Sequence, residues 1–106
     1  MPTCLELYDE AVRLKDEGKL DEAIDALKKA VAQDDSFALG HFGLAKYYSV
    51  AGRHDQAIDH GRRAVELDPD DYMSWIALSV NYRDAGMVPE AEHAMARAQQ
   101  VQMGGR

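Results

Sequence analysis

Cysteine is almost absent from this chain of 106 residues, since Cys4 is the single one. One thiol cannot form an internal disulfide and cannot supply a metal site built from several thiolates. Long hydrophobic runs are missing too, because no stretch approaches the roughly 20 apolar residues of a membrane-spanning helix. The N-terminal residues have neither the basic start nor the apolar run of a secretory signal, so the expected compartment is the cytoplasm.

Positive charge is scarce as well. Acidic residues number 19 against 12 lysines and arginines, which gives a formal net charge of −7. Nucleic acids and anionic membrane surfaces are bound through clustered cations, so neither is an expected partner. Hydrophobic residues make up 46% and charged residues 29%, as in soluble globular proteins. At this length we expect one domain, residues 1–106.

The chain does contain an internal repeat. Gly18, Gly52 and Gly86 follow one another at intervals of 34 residues. An alanine stands five positions after each glycine and a second one seven positions later: Ala23, Ala30, Ala57, Ala64, Ala91 and Ala98. Apolar residues recur with helical spacing on both sides of each glycine, and the pattern breaks at the glycine itself. This predicts three helix–turn–helix units. Their ranges are residues 4–37, 38–71 and 72–105.

Polar residues mark the expected helix starts. Thr3 and Glu6 have the spacing of a capping box, in which each side chain bonds the backbone amide of the other residue. Side-chain caps are expected for four later helices as well, because aspartate and serine accept hydrogen bonds from free amides of a first turn. These expected caps are Asp21, Ser36, Asp55 and Asp71.

A 34-residue helix–turn–helix unit of this kind resembles the tetratricopeptide repeat (TPR), and the match spans almost the whole chain. The third unit carries the fullest signature: Trp75, Leu78, Tyr82, Gly86, Ala91 and Ala98. The first unit departs from the pattern. When the three units are aligned, Leu7 stands at the position that holds tryptophan in the third unit, and Asp35 at the position that holds proline in the second. The resemblance implies an all-α fold, a right-handed superhelical stack of three antiparallel helix pairs with six helices. The first helices of the pairs then line a concave groove.

Members of this family typically bind peptides or helices of partner proteins in that groove, and they are not generally enzymes. The resemblance implies these groove residues: Leu5, Tyr8, Val12, Lys15, Leu39, Phe42, Lys46, Ser49, Met73, Ile76, Val80 and Arg83. Most are large and apolar, and three are cations, so the expected ligand is an amphipathic or extended segment with apolar anchors and some acidic residues. The alternative is a self-associating assembly unit, a homo-oligomer formed through the groove or the C-terminal helix.

One TPR subclass clamps the acidic C-terminal tails of heat-shock chaperones with lysine, asparagine and arginine in the groove. The matching positions here hold none of those residue types: Tyr8, Val12, Gly43, Met73 and Ala77. None of these side chains can hold a carboxylate, so the resemblance does not extend to this subclass.

Four histidines fall in different columns of the repeat: His41, His54, His60 and His93. This scatter predicts neither a metal or haem site nor a catalytic constellation, and no cofactor is expected. His60 is expected on the solvated side of its helix. Gly61 stands where other units have Leu27 and Met95, and Trp75 or Tyr82 is expected to fill the space beside it.

The two outer faces of the stack are expected to be polar. Glu92 and Gln99 replace apolar residues at positions that would pack on a following repeat. Glu10 stands at a position that would pack on a preceding one. Polar end faces keep a repeat stack in solution, so we expect a self-contained three-repeat unit.

Overall fold

The computed structural model describes residues 1–104. Within that range the chain forms six helices and no strand. The helices are α1 (Cys4–Asp16), α2 (Leu20–Gln33), α3 (Ala38–Val50), α4 (His54–Leu67), α5 (Tyr72–Asp84) and α6 (Val88–Gln102). Consecutive helices pair as α1 with α2, α3 with α4 and α5 with α6, and the pairs stack in chain order. The predicted all-α stack of three helix pairs is therefore confirmed. The division into a single domain with units 4–37, 38–71 and 72–105 remains our proposal.

The same turn joins the two helices of every pair. Gly18, Gly52 and Gly86 have φ angles of 81°, 78° and 79°, in the left-handed region that side chains resist. The residue after each glycine donates its backbone N–H to a carbonyl five positions earlier, with N···O distances of 2.8 to 2.9 Å. This is the Schellman arrangement for ending a helix. Because a Cβ on these glycines would meet nothing within 4 Å, their backbone conformation alone requires glycine.

Two of the expected caps are present. Thr3 Oγ1 accepts the Glu6 backbone N–H at 3.1 Å, and the Thr3 N–H donates to Glu6 Oε1 at 2.9 Å, which completes the capping box of α1. At α5, the Asp71 carboxylate accepts the Met73 backbone N–H at 3.3 Å. It also accepts the Ser74 hydroxyl at 2.6 Å. Side-chain oxygens therefore define the first turns of α1 and α5.

The expected caps at Asp21, Asp55 and Ser36 are wrong. The second helices begin directly after the glycine turn, so Asp21 and Asp55 already lie inside the first turns of α2 and α4. There a carboxylate stabilises the helix through the positive end of its dipole rather than as a cap. The N–H and O–H of Ser36 both donate to Asp34 Oδ1, at 3.0 and 2.6 Å, which fixes the loop before α3 instead.

Small residues let the paired helices approach closely. Ala11 and Ala45 on first helices have no solvent exposure, and their partners on the second helices are alanines that are equally buried. In the third pair the corresponding residue is Ser79, whose hydroxyl donates to the Ala91 carbonyl at 3.0 Å. The largest fully buried apolar side chains are Leu27 and Leu44, in the core shared by the first and second pairs.

Gly61 marks the closest approach between the second and third pairs. A Cβ at this position would lie 2.5 Å from Asn81 Oδ1 and 3.0 Å from Leu78 Cδ1. The expectation that Trp75 or Tyr82 fills this space is therefore wrong, because Leu78 and Asn81 of the same helix occupy it. Asn81 is 1% exposed and donates its Nδ2–H to the Ala45 carbonyl at 2.9 Å. One buried amide therefore connects α5 to α3 and lies against α4.

The outer surface of the last helix is polar, since Glu92 and Gln99 on α6 are exposed. Glu10, on the outer side of α1, is partly exposed. None of the helices in residues 1–104 has the length and apolar character needed to cross a membrane.

Candidate functional site

The first helices of the pairs lie side by side, because α3 contacts both α1 and α5. An open apolar pocket of about 280 Å³ lies between α3 and α5. From the predicted groove, these residues line it: Phe42, Lys46, Ser49, Met73, Ile76 and Val80. The exposed fraction of Met73 is 51%, whereas Phe42, Ile76 and Val80 are partly buried. The structure thus brings these six residues of the second and third units together at one place.

The remaining predicted groove residues do not line this pocket: Leu5, Tyr8, Val12, Lys15, Leu39 and Arg83. Tyr8 packs against the buried core shared by the first two pairs. Burial raises the pKa of Tyr8, because the charged phenolate would lose hydration there. In the first unit, part of the expected groove surface is therefore packed by the chain itself.

The prediction missed four lining residues: Val50, Ala77, Asn81 and Asp84. Each of them lies four residues after a residue that does line the pocket. Residues four apart share a helix face, so adding one turn to the predicted groove positions Lys46, Met73 and Val80 would have found Val50, Ala77 and Asp84. Asn81 lies one turn further along, after Ala77.

Two charged side chains on the pocket rim are held by their neighbours. Lys46 Nζ lies 5.2 Å from the centre of the Phe42 ring, within the range of a cation–π contact. Across the pocket, Ser49 Oγ donates a hydrogen bond to Asp84 Oδ2 at 2.7 Å. This bond also links α3 to α5. The rim therefore presents one cation and one anion in defined places.

A second polar cluster joins the two helices of the middle pair. His41 is 4% exposed, and its Nδ1 lies 2.9 Å from Nδ1 of His60. His41 Nε2 lies 2.8 Å from the Asp35 carbonyl oxygen. The His60 ring stacks on His41 and on Tyr48, with centroid distances of 5.2 and 5.6 Å. The expectation that His60 points into solvent is therefore wrong.

The hydrogen bonds assign the tautomers of this pair. A carbonyl only accepts, so His41 Nε2 carries the proton that bonds the Asp35 carbonyl, and neutral His41 has its lone pair on Nδ1. His60 must then donate from its own Nδ1. Protonation of both rings would place two donors against each other. Burial lowers the pKa of His60, and the neighbouring His41 lowers it further, against the opposing effect of Asp59 and Asp35.

We therefore expect acid to weaken the fold through His60. Because the pKa of His60 is lower in the folded chain, its neutral form contributes stability above about pH 6.5, the pKa of a free histidine. That stability is lost as the pH falls from 6.5 towards the folded-state pKa. Urea unfolding at pH 7.5 and at pH 5.0 should show a smaller acid-induced loss for His60→Gln than for the wild type. Glutamine donates to His41 without titrating.

His93→Gln is the matched control for this measurement, because His93 is exposed on α6. It should lose as much stability in acid as the wild type does. If His60→Gln loses as much stability in acid as the wild type does, the proposed role of the histidine pair is contradicted.

Within residues 1–104 no group of three or more histidine, cysteine, aspartate or glutamate side chains is placed to hold a metal ion.

Comparison with known proteins places the chain in a family. A family model described as "Tetratricopeptide repeat" matches residues 8–72. The TPR repeat-containing protein PA0015 of Pseudomonas aeruginosa is 37% identical over 71 residues, which cover 67% of this chain and 68% of that protein. The chain is therefore a member of the tetratricopeptide repeat family.

Solved structures show the same fold. The Sgt2 TPR domain from Aspergillus fumigatus superposes with a TM-score of 0.91 at 21% identity, over 100% of this chain and 71% of that chain. The second TPR of Spaghetti (RPAP3), bound to the HSP90 peptide SRMEEVD, superposes with a TM-score of 0.88 at 19% identity. That match covers 93% of this chain and 92% of the other.

Proposed function

We propose that this chain is a non-catalytic protein-interaction module that binds a peptide or helix of a partner protein in the groove between α3 and α5. The α3–α5 pocket is the observation that carries the proposal. Its walls are largely apolar, with Phe42, Ile76 and Val80 among the lining residues, and it opens to solvent. A few apolar anchors that fill such pockets supply most of the energy of a protein interface.

The size of the pocket favours an anchoring side chain over a small-molecule cofactor. At about 280 Å³ it lies just below the range of roughly 300–1,000 Å³ that is typical of ligand and cofactor sites. Its lining also lacks the histidines, so a base or nucleophile pair is not part of it. Binding of a polypeptide, without a cofactor and without catalysis, is the function that this geometry supports best.

The chemistry of the groove argues for a ligand other than an acidic C-terminal tail. The RPAP3 domain is bound to an HSP90 peptide that ends in three residues, Glu-Val-Asp, two of them acidic. In this chain the positions that match the carboxylate clamp are Tyr8, Val12, Gly43, Met73 and Ala77. Gly43 and Ala77 are buried, and none of the five is a cation or an amide. We therefore propose an amphipathic or extended segment with apolar anchors and acidic residues that face the groove cations.

Because the net charge is −7, we do not propose nucleic acids or anionic membranes as partners. For the compartment, we propose the cytoplasm, as expected from the sequence.

The test is a selection from a random peptide display library, followed by chemical-shift mapping with one selected peptide. We expect the perturbed amides to concentrate on α3 and α5 around Phe42, Ile76 and Val80. Perturbations elsewhere, or a selection that yields no peptide, would contradict the proposal.

Light scattering on the free chain separates this proposal from self-association. A monomer at all concentrations leaves the groove free for a partner. A stable dimer whose contacts cover Phe42 and Ile76 would instead identify the chain as an assembly unit, the alternative expected from the sequence.

A further inference from the structure

The rim of the α3–α5 pocket carries charges of both signs, and each is positioned by a neighbouring side chain. Lys46 Nζ sits above the Phe42 ring at 5.2 Å. Asp84 Oδ2 accepts the Ser49 hydroxyl at 2.7 Å. Side chains held in this way lose less conformational entropy when a ligand binds, so they are better recognition groups than free surface charges.

Neither charge is neutralised by an ion pair in the part of the chain that the structure describes. The ion pairs there involve other groups: Lys19 with Glu17, Asp35 with His41, and Arg63 with both Asp35 and Glu66. The hydrogen bond from Ser49 leaves the negative charge of Asp84 in place. A ligand that brings the opposite sign to each group is attracted to the rim, and one that brings the same sign is repelled.

The two charges lie at different levels along the groove. Lys46 and Ser49 are three residues apart on α3, a rise of about 4.5 Å, and Asp84 is bonded at the Ser49 level. An extended peptide advances about 3.3 Å per residue. A single anchor in the pocket therefore places its flanking residues, one to three positions away on either side, within reach of the two charges.

We propose that the segment bound in this groove is bipolar, with one large apolar anchor between an acidic residue on one side and a basic residue on the other. The acidic residue faces Lys46 and the basic residue faces Asp84, while the anchor contacts Phe42, Ile76 and Val80. This inference rests on the proposed function of the groove. It specifies an internal segment of a partner, since a free C-terminal carboxylate supplies negative charge alone.

The test compares display selections with the wild type, Lys46→Glu and Asp84→Lys. Peptides selected by the wild type should carry an acidic and a basic residue on opposite sides of the anchor. Lys46→Glu should select a basic residue in place of the acidic one, and Asp84→Lys an acidic residue in place of the basic one. Each reversal should lower the affinity for the peptide selected by the wild type by about tenfold. A peptide with the matching charge reversed should bind that variant with the original affinity.

Two reversals outside the pocket lining serve as matched controls. Arg62→Glu reverses an exposed cation on α4, and Asp16→Lys reverses an acid at the last residue of α1, the position that Asp84 has in α5. Both should select the same peptides as the wild type.

The outcomes distinguish this inference from the proposal on which it rests. The bipolar ligand would be overturned if the selected peptides share an apolar anchor but no charge pattern. It would also be overturned if Lys46→Glu and Asp84→Lys select the same charge pattern as the wild type. Either result leaves the proposed function of the groove standing. A wild-type selection without any enriched peptide would overturn both.

Discussion

Replacing Gly61 with leucine should lower the free energy of unfolding by about 2 kcal/mol, although leucine is the better helix former. A Cβ at this position would stand 2.5 Å from Asn81 Oδ1, 3.0 Å from Leu78 Cδ1 and 3.5 Å from Leu78 Cα. Asn81 cannot turn away without losing its hydrogen bond to the Ala45 carbonyl. Forcing extra carbons into a packed core costs about 1–3 kcal/mol, and a lost hydrogen bond about 1 kcal/mol more. The gain in helix propensity, about 1 kcal/mol, offsets a part of this sum.

Urea unfolding of Gly61→Leu measures this cost. Ala96→Leu is the matched control, because it adds a side chain of similar size at an exposed position of α6. That variant should stay within about 0.5 kcal/mol of the wild type. A melting temperature for Gly61→Leu above that of the wild type would show that α4 and α5 are not in close contact at this residue.

The second large effect concerns binding. The double variant Phe42→Glu, Ile76→Glu should bind the selected peptide with an affinity at least about 100-fold lower than that of the wild type. Both residues line the pocket walls, and hot-spot residues of this kind contribute about 2 kcal/mol or more each. The two carboxylates would also have to lose water when the anchor enters the pocket. Fluorescence polarisation with a labelled peptide measures the affinity, and circular dichroism measures the melting temperature.

A charge-matched control is available for this variant. Val88 and Met103 are exposed by 54% and 82% and lie outside the pocket, so Val88→Glu, Met103→Glu adds the same two charges elsewhere. It should bind the peptide as the wild type does. If the groove variant loses its fold, the milder Ile76→Thr replaces it, with an expected loss of about tenfold. Unchanged affinity in a folded groove variant would refute the site.

The helix boundaries show how far local sequence signals reach. Thr3 with Glu6 and Asp71 act as caps, as predicted, because capping depends on residues within one turn of each other. Asp21 and Asp55 do not, although their residue type suits a cap. The glycine turn starts the second helix so early that these carboxylates fall inside it. The backbone path, rather than the residue type, decides which polar residue meets a free amide.

The candidate site was predictable in part for a related reason. The resemblance to the repeat family predicted Phe42, Ile76 and Val80, because it says which face of the first helices lines the groove, and helical spacing places these residues on that face. Spacing could not show that Tyr8 packs into the core, since that depends on how α1 sits against its neighbours. Nor could it show that Asp84 accepts a hydrogen bond from Ser49, because the two residues lie on different helices.

The contact of His41 with His60 was beyond any local rule. The two residues are 19 positions apart on antiparallel helices, and no spacing within one helix relates them. The close approach at Gly61 is similar, because the sequence predicted a side chain of the next repeat there without showing that it is Asn81 and Leu78 that pack against Gly61.

By itself, the sequence determined the number of helices, their order and the turns between them. Apolar periodicity and a glycine with positive φ act within a few residues of the chain, so these features depend only on neighbouring residues in the sequence. The tertiary structure alone decided which side chains meet: Asn81 against Gly61, His60 against His41, and Ser49 with Asp84 across the pocket. Such contacts depend on the rotation and offset of each helix in the stack, which the packing of all six helices sets together.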